Sequence, residues 1–120
     1  MTESGSKYRL TTLPNQGQCV AVPMGLDDRG LPIDGLVVRT PAGELRAYIN
    51  VCKHIPIPLD SGSGEFLTAD GSHLFCGTHG ATFRLEDGMC VHGPCKGVPL
   101  DAVFIEEDEG GAWLRRAEPT

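Results

Sequence analysis

The segment Cys76-Gly77-Thr78-His79 pairs a cysteine with a histidine three residues later, and Cys52-Lys53-His54 pairs them at a spacing of two. The 21 residues numbered 55–75 separate the two pairs. Each pair follows a strand-like segment and begins a loop rich in glycine and proline, whose backbone can bend both side chains onto one centre. Two thiolates and two imidazoles leave two interpretations: a single tetrahedral zinc ion, or a [2Fe–2S] cluster with both cysteines on one iron and both histidines on the other.

The order of the ligand types separates these two interpretations. In zinc sites with this donor set, the two cysteines usually form one close pair and the two histidines form another. Here each pair is mixed, so each loop can give its cysteine to one iron and its histidine to the other. The spacing therefore favours the cluster, with structural zinc as the remaining alternative.

From Asn50 to Leu100 the sequence resembles the Rieske family, whose motif is C-x-H followed by C-x-x-H. Pro58-Leu59 follows the first pair as in Rieske first loops, and Asp87-Gly88 occupies the place of the family's hairpin turn. His92-Gly93-Pro94-Cys95 is similar to the proline-bearing third loop, which covers the cluster in that family. Two of the family's three loops are thus matched by ligand motifs, and the third by its proline.

The resemblance implies a Rieske-type [2Fe–2S] cluster as the cofactor. Cys52 and Cys76 would hold the buried iron, and His54 and His79 would hold the outer iron near solvent. Backbone N–H groups of the second loop, with Gly80 among them, would point at the cluster sulfurs. No catalytic residue is expected, because outer-sphere electron transfer needs no acid, base or nucleophile.

The implied function is that of a soluble one-electron carrier similar to the low-potential Rieske-type ferredoxins. Such a carrier takes electrons from a flavin reductase and passes them to an oxygenase or a similar acceptor, so its partners are redox proteins. The alternative is an accessory or redox-sensing Rieske subunit of a larger oxidoreductase. All four ligand positions are filled in this sequence, which argues against a role without a cluster.

The expected reduction potential follows from the residues of the ligand loops and from two positions after the second motif. High-potential members carry an extra cysteine in each ligand loop, and a serine and a tyrosine that donate hydrogen bonds to the cluster. This chain has no cysteine at 55–59 or 77–78, and Ala81 and Phe83 occupy the matching donor positions. Fewer donors stabilise the reduced state less, which implies a potential near the low end of the Rieske range of about −150 to +300 mV.

Length and composition limit the other possibilities. The 120 residues fit one domain over 1–120, with the cluster-binding part at about 50–100. A net charge of −6 argues against a nucleic-acid footprint, and no stretch approaches the ~20 apolar residues of a membrane span. Residues 1–7 are polar and lack a signal core, so we expect a cytoplasmic protein without membrane contact. In that compartment, five cysteines indicate metal or redox chemistry rather than disulfides.

The secondary structure expected from the sequence is entirely β. Short strand-like segments recur between glycine and proline residues, at 8–13, 18–22, 36–40, 44–51, 72–75, 82–85, 89–91, 100–106 and 112–115. Hairpins are expected around Pro41-Ala42-Gly43 and Glu86-Asp87-Gly88. The pattern predicts an antiparallel sandwich or small barrel, to which the resemblance adds an inserted cluster-binding subdomain of loops and short strands.

Several segments outside the motifs receive structural interpretations. Residues 24–35 are expected to form a loop, and Glu106 to Glu109 the acidic tip of a hairpin. Trp113 is interpreted as a core or edge anchor, and His73 as a surface or hydrogen-bonded histidine. None of these positions is assigned chemistry.

Overall fold

A computed structural model describes residues 7–26, 30, 32–51, 66–76, 80–93 and 96–116 of the chain. These residues form strands, turns and loops, with no helix among them. It follows that no helix within the described segments is long and apolar enough to cross a membrane. In chain order the strands are β1 (Lys7–Leu10), β2 (Cys19–Leu26), β3 (Pro32–Arg39), β4 (Leu45–Ile49), β5 (His73–Phe75), β6 (Thr82–Arg84), β7 (Cys90–His92), β8 (Ala102–Asp108) and β9 (Gly111–Arg116).

The strands form two antiparallel sheets. The larger sheet has the order β1-β9-β8-β4-β3-β2, and the smaller has the order β5-β6-β7. The edge strands of the larger sheet approach each other, since the Tyr8 hydroxyl on β1 lies 3.0 Å from where a Cβ on Gly25 of β2 would be. The larger sheet is therefore a nearly closed barrel, and the small sheet is inserted between β4 and β8. The all-β antiparallel fold expected from the sequence is confirmed.

Two apolar clusters stabilise this arrangement. One fills the barrel and consists of Val22, Met24, Val37, Leu45, Ala47, Ile49, Val103, Ala112 and Leu114. The other packs the small sheet onto the outer face of β3 and β4 and consists of Leu36, Val38, Tyr48, Phe66, Leu74, Cys76, Ala81, Phe83, Leu85, Cys90 and Leu100. Because side chains alternate across a strand, Val37 enters the first cluster while its neighbours enter the second. The barrel is thus the base on which the small sheet is held.

Both expected hairpins form, but three expectations were wrong in detail. Residues 24–35 are not one loop: β2 continues to Leu26 and β3 begins at Pro32, with an irregular register between Pro23 and Leu26. The cause is Met24, whose side chain is completely buried in the barrel. The acidic run does end at a hairpin turn between β8 and β9, but most of it is strand, since β8 extends to Asp108.

Trp113 is the third correction, because it is neither a core residue nor on an edge strand of its sheet. It remains 40% exposed on the outer face of β9, opposite Arg9 on β1. The guanidinium of Arg9 lies 5.0 Å from the centre of its ring, a cation–π contact. Trp113 is therefore a surface residue on the outer face of β9.

Candidate metal centre

Cys76 is the one predicted ligand that lies within the described residues. It directly follows β5, and its side chain is completely buried. Cys52, His54 and His79 lie outside the described residues. Accordingly, the described segments alone contain no group of three side chains able to hold a metal ion. The ligand assignment as a whole stays a prediction, and the structure supplies the surroundings of one thiol.

Two backbone hydrogen bonds close the second loop around Cys76. The Cys76 N–H donates to the carbonyl of Ala81 at 2.8 Å, and the Gly80 N–H donates to the carbonyl of Cys76 at 2.9 Å. The second bond contradicts the expectation that the Gly80 N–H points at a sulfur atom. Gly80 adopts a positive φ of 75°, and a Cβ there would meet nothing within 4 Å. Its backbone conformation, rather than lack of space, therefore favours glycine at this position.

The third loop begins in direct contact with the second. A Cβ on Gly93 would lie 2.7 Å from the Cα of Ala81, and Gly93 has a φ of 102°. No other residue type fits this approach without moving one of the loops. Next to it, the buried thiol of Cys90 donates to the carbonyl of His92 at 3.2 Å. The contact fixes the start of the third loop over Ala81, the second residue after the second ligand motif.

Tyr48 connects the barrel to the hairpin of the small sheet. Its hydroxyl donates to the carbonyl of Leu85 at 2.6 Å, and its ring lies 2.7 Å from where a Cβ on Gly88 would be. Burial raises the pKa of Tyr48 above its ordinary value, so the hydroxyl stays protonated and remains a donor. This residue stands four positions before Cys52 and holds the hairpin that follows the second loop. It thereby ties together the strands adjoining the two ligand loops.

The short turn before β5 is organised by a carboxylate. Asp70 accepts hydrogen bonds from the hydroxyls of Thr68 and Ser72, both at 2.7 Å. Chiefly through the Thr68 bond, and then through those of Ser72, the pKa of Asp70 falls to about 2. The Ser72 hydroxyl also lies 2.7 Å from Nδ1 of His73, which confirms that this histidine is hydrogen-bonded.

Sequence reasoning gave the ligand motifs as a prediction and missed Tyr48 and the Gly93 contact with Ala81. Tyr48 is only one apolar residue of an alternating strand, and its partner carbonyl lies 37 positions along the chain. The one local signal for Gly93 is its place before a proline. Both roles arise from tertiary contacts that a single sequence does not contain.

Comparison with protein families matches residues 12–103 to the Rieske [2Fe-2S] domain. This match spans most of the chain, which therefore belongs to the Rieske [2Fe–2S] domain family. Members of that family carry a Rieske-type cluster with cysteine and histidine ligands. The surroundings of Cys76 fit this group, because a thiol removed from water at the start of a closed loop suits an iron ligand in a shielded site.

Several solved structures with the same fold belong to carbazole 1,9a-dioxygenase systems. A chain from a complex of reduced oxygenase and oxidized ferredoxin in carbazole 1,9a-dioxygenase is 23% identical, with a TM-score of 0.67 and coverage of 99% of each chain. The terminal oxygenase of carbazole 1,9a-dioxygenase from Novosphingobium sp. KA1 is 19% identical, with a TM-score of 0.68, covering 96% of this chain and 30% of that one. The terminal oxygenase of carbazole 1,9a-dioxygenase from Nocardioides aromaticivorans IC177 is 21% identical, with a TM-score of 0.69. The match covers 98% of this chain and 32% of that one.

The chain spans 30% of the length of the first solved chains that it matches. At these identities the likeness establishes the fold. Comparison with curated protein sequences gave no match.

Proposed function

We propose that this chain is a one-electron carrier that serves an oxygenase. The observation that carries the proposal is the mutual coverage of 99% with a chain from the oxygenase–ferredoxin complex. That match is full-length in both directions, as expected when two domains do the same task. Family membership supports it, because a Rieske cluster is a one-electron centre.

Cys52, Cys76, His54 and His79 would hold the cluster, which when bound supplies reversible one-electron transfer. Cys76 contributes a thiol that is already removed from water, so little further burial is needed when the ligand binds metal. The contact between Gly93 and Ala81 keeps the third loop against the second and limits the access of water there. These contacts fix the surroundings of Cys76, which favours electron transfer because less then has to reorganise.

The electron donor in this proposal is a flavin reductase, and the compartment is the cytoplasm. Both rest on the resemblance to the Rieske-type ferredoxins from Asn50 to Leu100. The acceptor is an oxygenase, in line with the complexes in which the same fold occurs.

A first experiment tests the ligands by comparing two buried cysteines. Cys76→Ser should abolish the electron paramagnetic resonance signal of the dithionite-reduced protein and most of its iron content. Cys90→Ser is the matched control, because Cys90 is equally buried but stands outside the ligand motifs. If Cys76→Ser kept the wild-type signal, or if the wild type held one zinc ion and no iron, the ligand assignment would be wrong.

A second experiment tests the carrier role itself. The holoprotein is added to an NAD(P)H-dependent flavin reductase and a Rieske oxygenase that lacks its own carrier, and product formation is measured. Turnover should require this chain, saturate with its concentration and disappear with Cys76→Ser. Turnover at the same low rate with and without the holoprotein, across several reductase–oxygenase pairs, would contradict the proposal.

A second candidate function is that of the Rieske part of a larger oxidoreductase. The coverage of only 30–32% of the terminal oxygenase chains favours it, since the same fold there forms one section of a longer chain. The reconstitution distinguishes the two functions. A carrier turns over repeatedly between separate proteins, whereas an accessory subunit copurifies with its larger partner and delivers no electrons to added oxygenases.

A further inference from the structure

The outer face of β1, β9 and β8 contains a groove beside two exposed aromatic side chains. Phe104 and Trp113 are 56% and 40% exposed, and they are two of the four large exposed hydrophobic residues in the described part of the chain. The groove has a volume of about 340 Å³, which is within the range of small-molecule sites. We call it the β1-β9-β8 groove. The residues that line it are Lys7, Phe104, Ile105, Glu106, Trp113 and Arg115.

The register of the strands places the polar and aromatic lining residues in two rows. In the first row Lys7 on β1 stands opposite Arg115 on β9, which stands opposite Phe104 on β8. In the second row Trp113 on β9 stands opposite Glu106 on β8. Residues directly opposite each other project to the same side of a sheet, and so do residues two positions apart on one strand. Lys7 and Glu106 therefore stand at opposite corners of the groove.

The first row holds two neighbouring cations without a counter-ion. Like charges directly opposite each other destabilise a sheet, so an anion between them is favourable. Neither Lys7 nor Arg115 forms an ion pair with any residue that the structure describes. Arg115 lies 4.7 Å from the ring centre of Phe104, and this stacking uses the flat face of the guanidinium. The N–H groups at its edge stay available to bind a carboxylate.

The second row limits what else a ligand can carry. Arg9 is already occupied, because it stacks on Trp113 and donates to Asp108 at 2.8 and 3.0 Å. Glu106, by contrast, has no ion pair within the described part of the chain. Its carboxylate repels a second negative charge on a ligand but accepts a hydrogen bond from a hydroxyl group. The two rows lie about 7 Å apart, and a benzene ring separates a carboxylate from a para hydroxyl by about that distance.

We propose that the β1-β9-β8 groove binds an aromatic monocarboxylate with a hydroxyl group at the far end of its ring. The carboxylate lies between Lys7 and Arg115, the ring packs beside the exposed part of Trp113, and the hydroxyl donates to Glu106. These charged contacts are open to water, so binding is weak and decreases with added salt.

The groove is separate from the candidate metal centre. None of the described residues that line it belongs to the small sheet, which carries Cys76 at the end of β5. A bound ligand therefore leaves Cys76 and its loop uncovered. The inference goes beyond the proposed electron-carrier function and does not depend on it.

NMR titration of the holoprotein with 4-hydroxybenzoate tests the proposal. Trp113 is the only tryptophan and lines the groove, so its indole N–H gives a single reporter signal. That signal should shift in a saturable way at millimolar ligand. Terephthalate, which has a carboxylate in place of the hydroxyl, should bind at least ~5-fold more weakly because its second charge faces Glu106. The neutral 4-hydroxybenzyl alcohol should produce no saturable shift.

Three substitutions assign the contacts. Lys7→Gln and Arg115→Gln should each weaken the binding of 4-hydroxybenzoate at least ~5-fold, because each removes a charged donor. Glu106→Gln removes the repulsion, so terephthalate should then bind about as tightly as 4-hydroxybenzoate binds the wild type. Lys96→Gln makes the same charge change at an exposed position outside the groove and should leave the affinity unchanged.

Three results would each overturn the proposal. The first is a Trp113 signal that shows no saturable shift with 4-hydroxybenzoate up to ~20 mM. The second is a wild type that binds terephthalate or the neutral alcohol as tightly as 4-hydroxybenzoate. The third is a folded Lys7→Gln or Arg115→Gln variant that keeps the affinity of the wild type, which would place the carboxylate elsewhere.

Discussion

At the scale of single residues, Gly93 shows how an absent side chain positions a loop. Its φ of 102° lies in the region that glycine adopts, and its α-carbon faces Ala81 so closely that a Cβ would come within 2.7 Å. Gly93→Ala therefore has two costs, a left-handed backbone of roughly 1–2 kcal/mol and overpacking of roughly 1–3 kcal/mol. We expect the two costs to add, so urea denaturation should show a free energy of unfolding that is lower than the wild type's by their sum.

Gly97→Ala is the control that separates these two costs. Gly97 has a similar φ of 91°, but a Cβ there would meet nothing within 4 Å. It should show only the backbone cost of roughly 1–2 kcal/mol. Equal destabilisation by the two substitutions would mean that the contact with Ala81 contributes nothing, and that backbone conformation alone sets the choice of glycine.

At the scale of elements, one hydroxyl group joins β4 to the β6–β7 hairpin. Tyr48→Phe removes the 2.6 Å hydrogen bond to the carbonyl of Leu85 and keeps the ring against Gly88. A buried hydrogen bond lost in this way costs about 1–2 kcal/mol of unfolding free energy. Denaturation should show that loss, whereas Tyr8→Phe, on the edge strand β1, should change stability by less than about 0.5 kcal/mol.

Tyr48 also gives a prediction for alkaline pH, with a defined sign. Burial raises its pKa in the folded protein above the ordinary value of about 10, so above that pH the unfolded chain loses a proton that the folded chain keeps. Stability contributed in this way is complete below pH ~10 and falls as the pH rises further. Tyr48→Phe should remove that part of the alkaline decline, and an identical decline in both proteins would contradict the burial effect.

The turn before β5 gives a pH dependence of stability with the opposite sign, because there stability falls as the pH falls. Hydrogen bonds from Thr68 and Ser72 lower the pKa of Asp70 to about 2, so its contribution is present above pH ~4 and is lost as the pH falls towards 2. Thr68→Ala should raise the pKa of Asp70 towards its ordinary value of about 3.9, as measured by an NMR titration of the carboxyl carbon. Thr12→Ala, on the exposed loop after β1, should leave that pKa unchanged.

Among the elements, the strands were predictable and their exact extent was not. Alternating apolar residues between glycine and proline turns located every strand that the structure describes, because that local pattern is what a half-buried strand requires. Residues 24–35 were misjudged because Pro23, Gly25 and the aspartates have the composition of a loop, while Met24 fills the barrel. Trp113 was misjudged because hydrophobicity alone does not state which face of β9 is covered.

The candidate site likewise has a part that the sequence predicts and a part that depends on the completed fold. The ligand motifs are local, so their spacing predicts the ligands, and the Rieske [2Fe-2S] domain match over residues 12–103 spans both motifs. The supporting contacts of Tyr48 and Gly93 join residues 37 and 12 positions apart, so they depend on the completed fold. A sequence therefore predicts which atoms bind metal more readily than it predicts what holds them in place.

At the scale of the whole molecule, the balance of charge and hydrogen bonds around the cluster predicts its reduction potential. Two ferric ions, two sulfides, two thiolates and two neutral imidazoles sum to a formal charge of about zero, which places Rieske clusters at about −150 to +300 mV. Within that range, hydrogen-bond donors stabilise the more negative reduced state and raise the potential. Ala81 and Phe83 are completely buried and have no side-chain donor, so we expect a one-electron couple near the low end.

Ala81→Ser tests this cause directly in a potentiometric titration followed by electron paramagnetic resonance. The added hydroxyl lies directly after the second ligand loop and should raise the midpoint potential, because it can donate towards the reduced cluster. Ala112→Ser introduces the same hydroxyl into the barrel interior, where Ala112 is also completely buried, and should lower stability without moving the potential. If the wild type titrated well above zero, or Ala81→Ser left a low potential unchanged, side-chain donors at this position would not set the potential. Solvent access at the third loop, which the Gly93 contact governs, would then be the property to vary next.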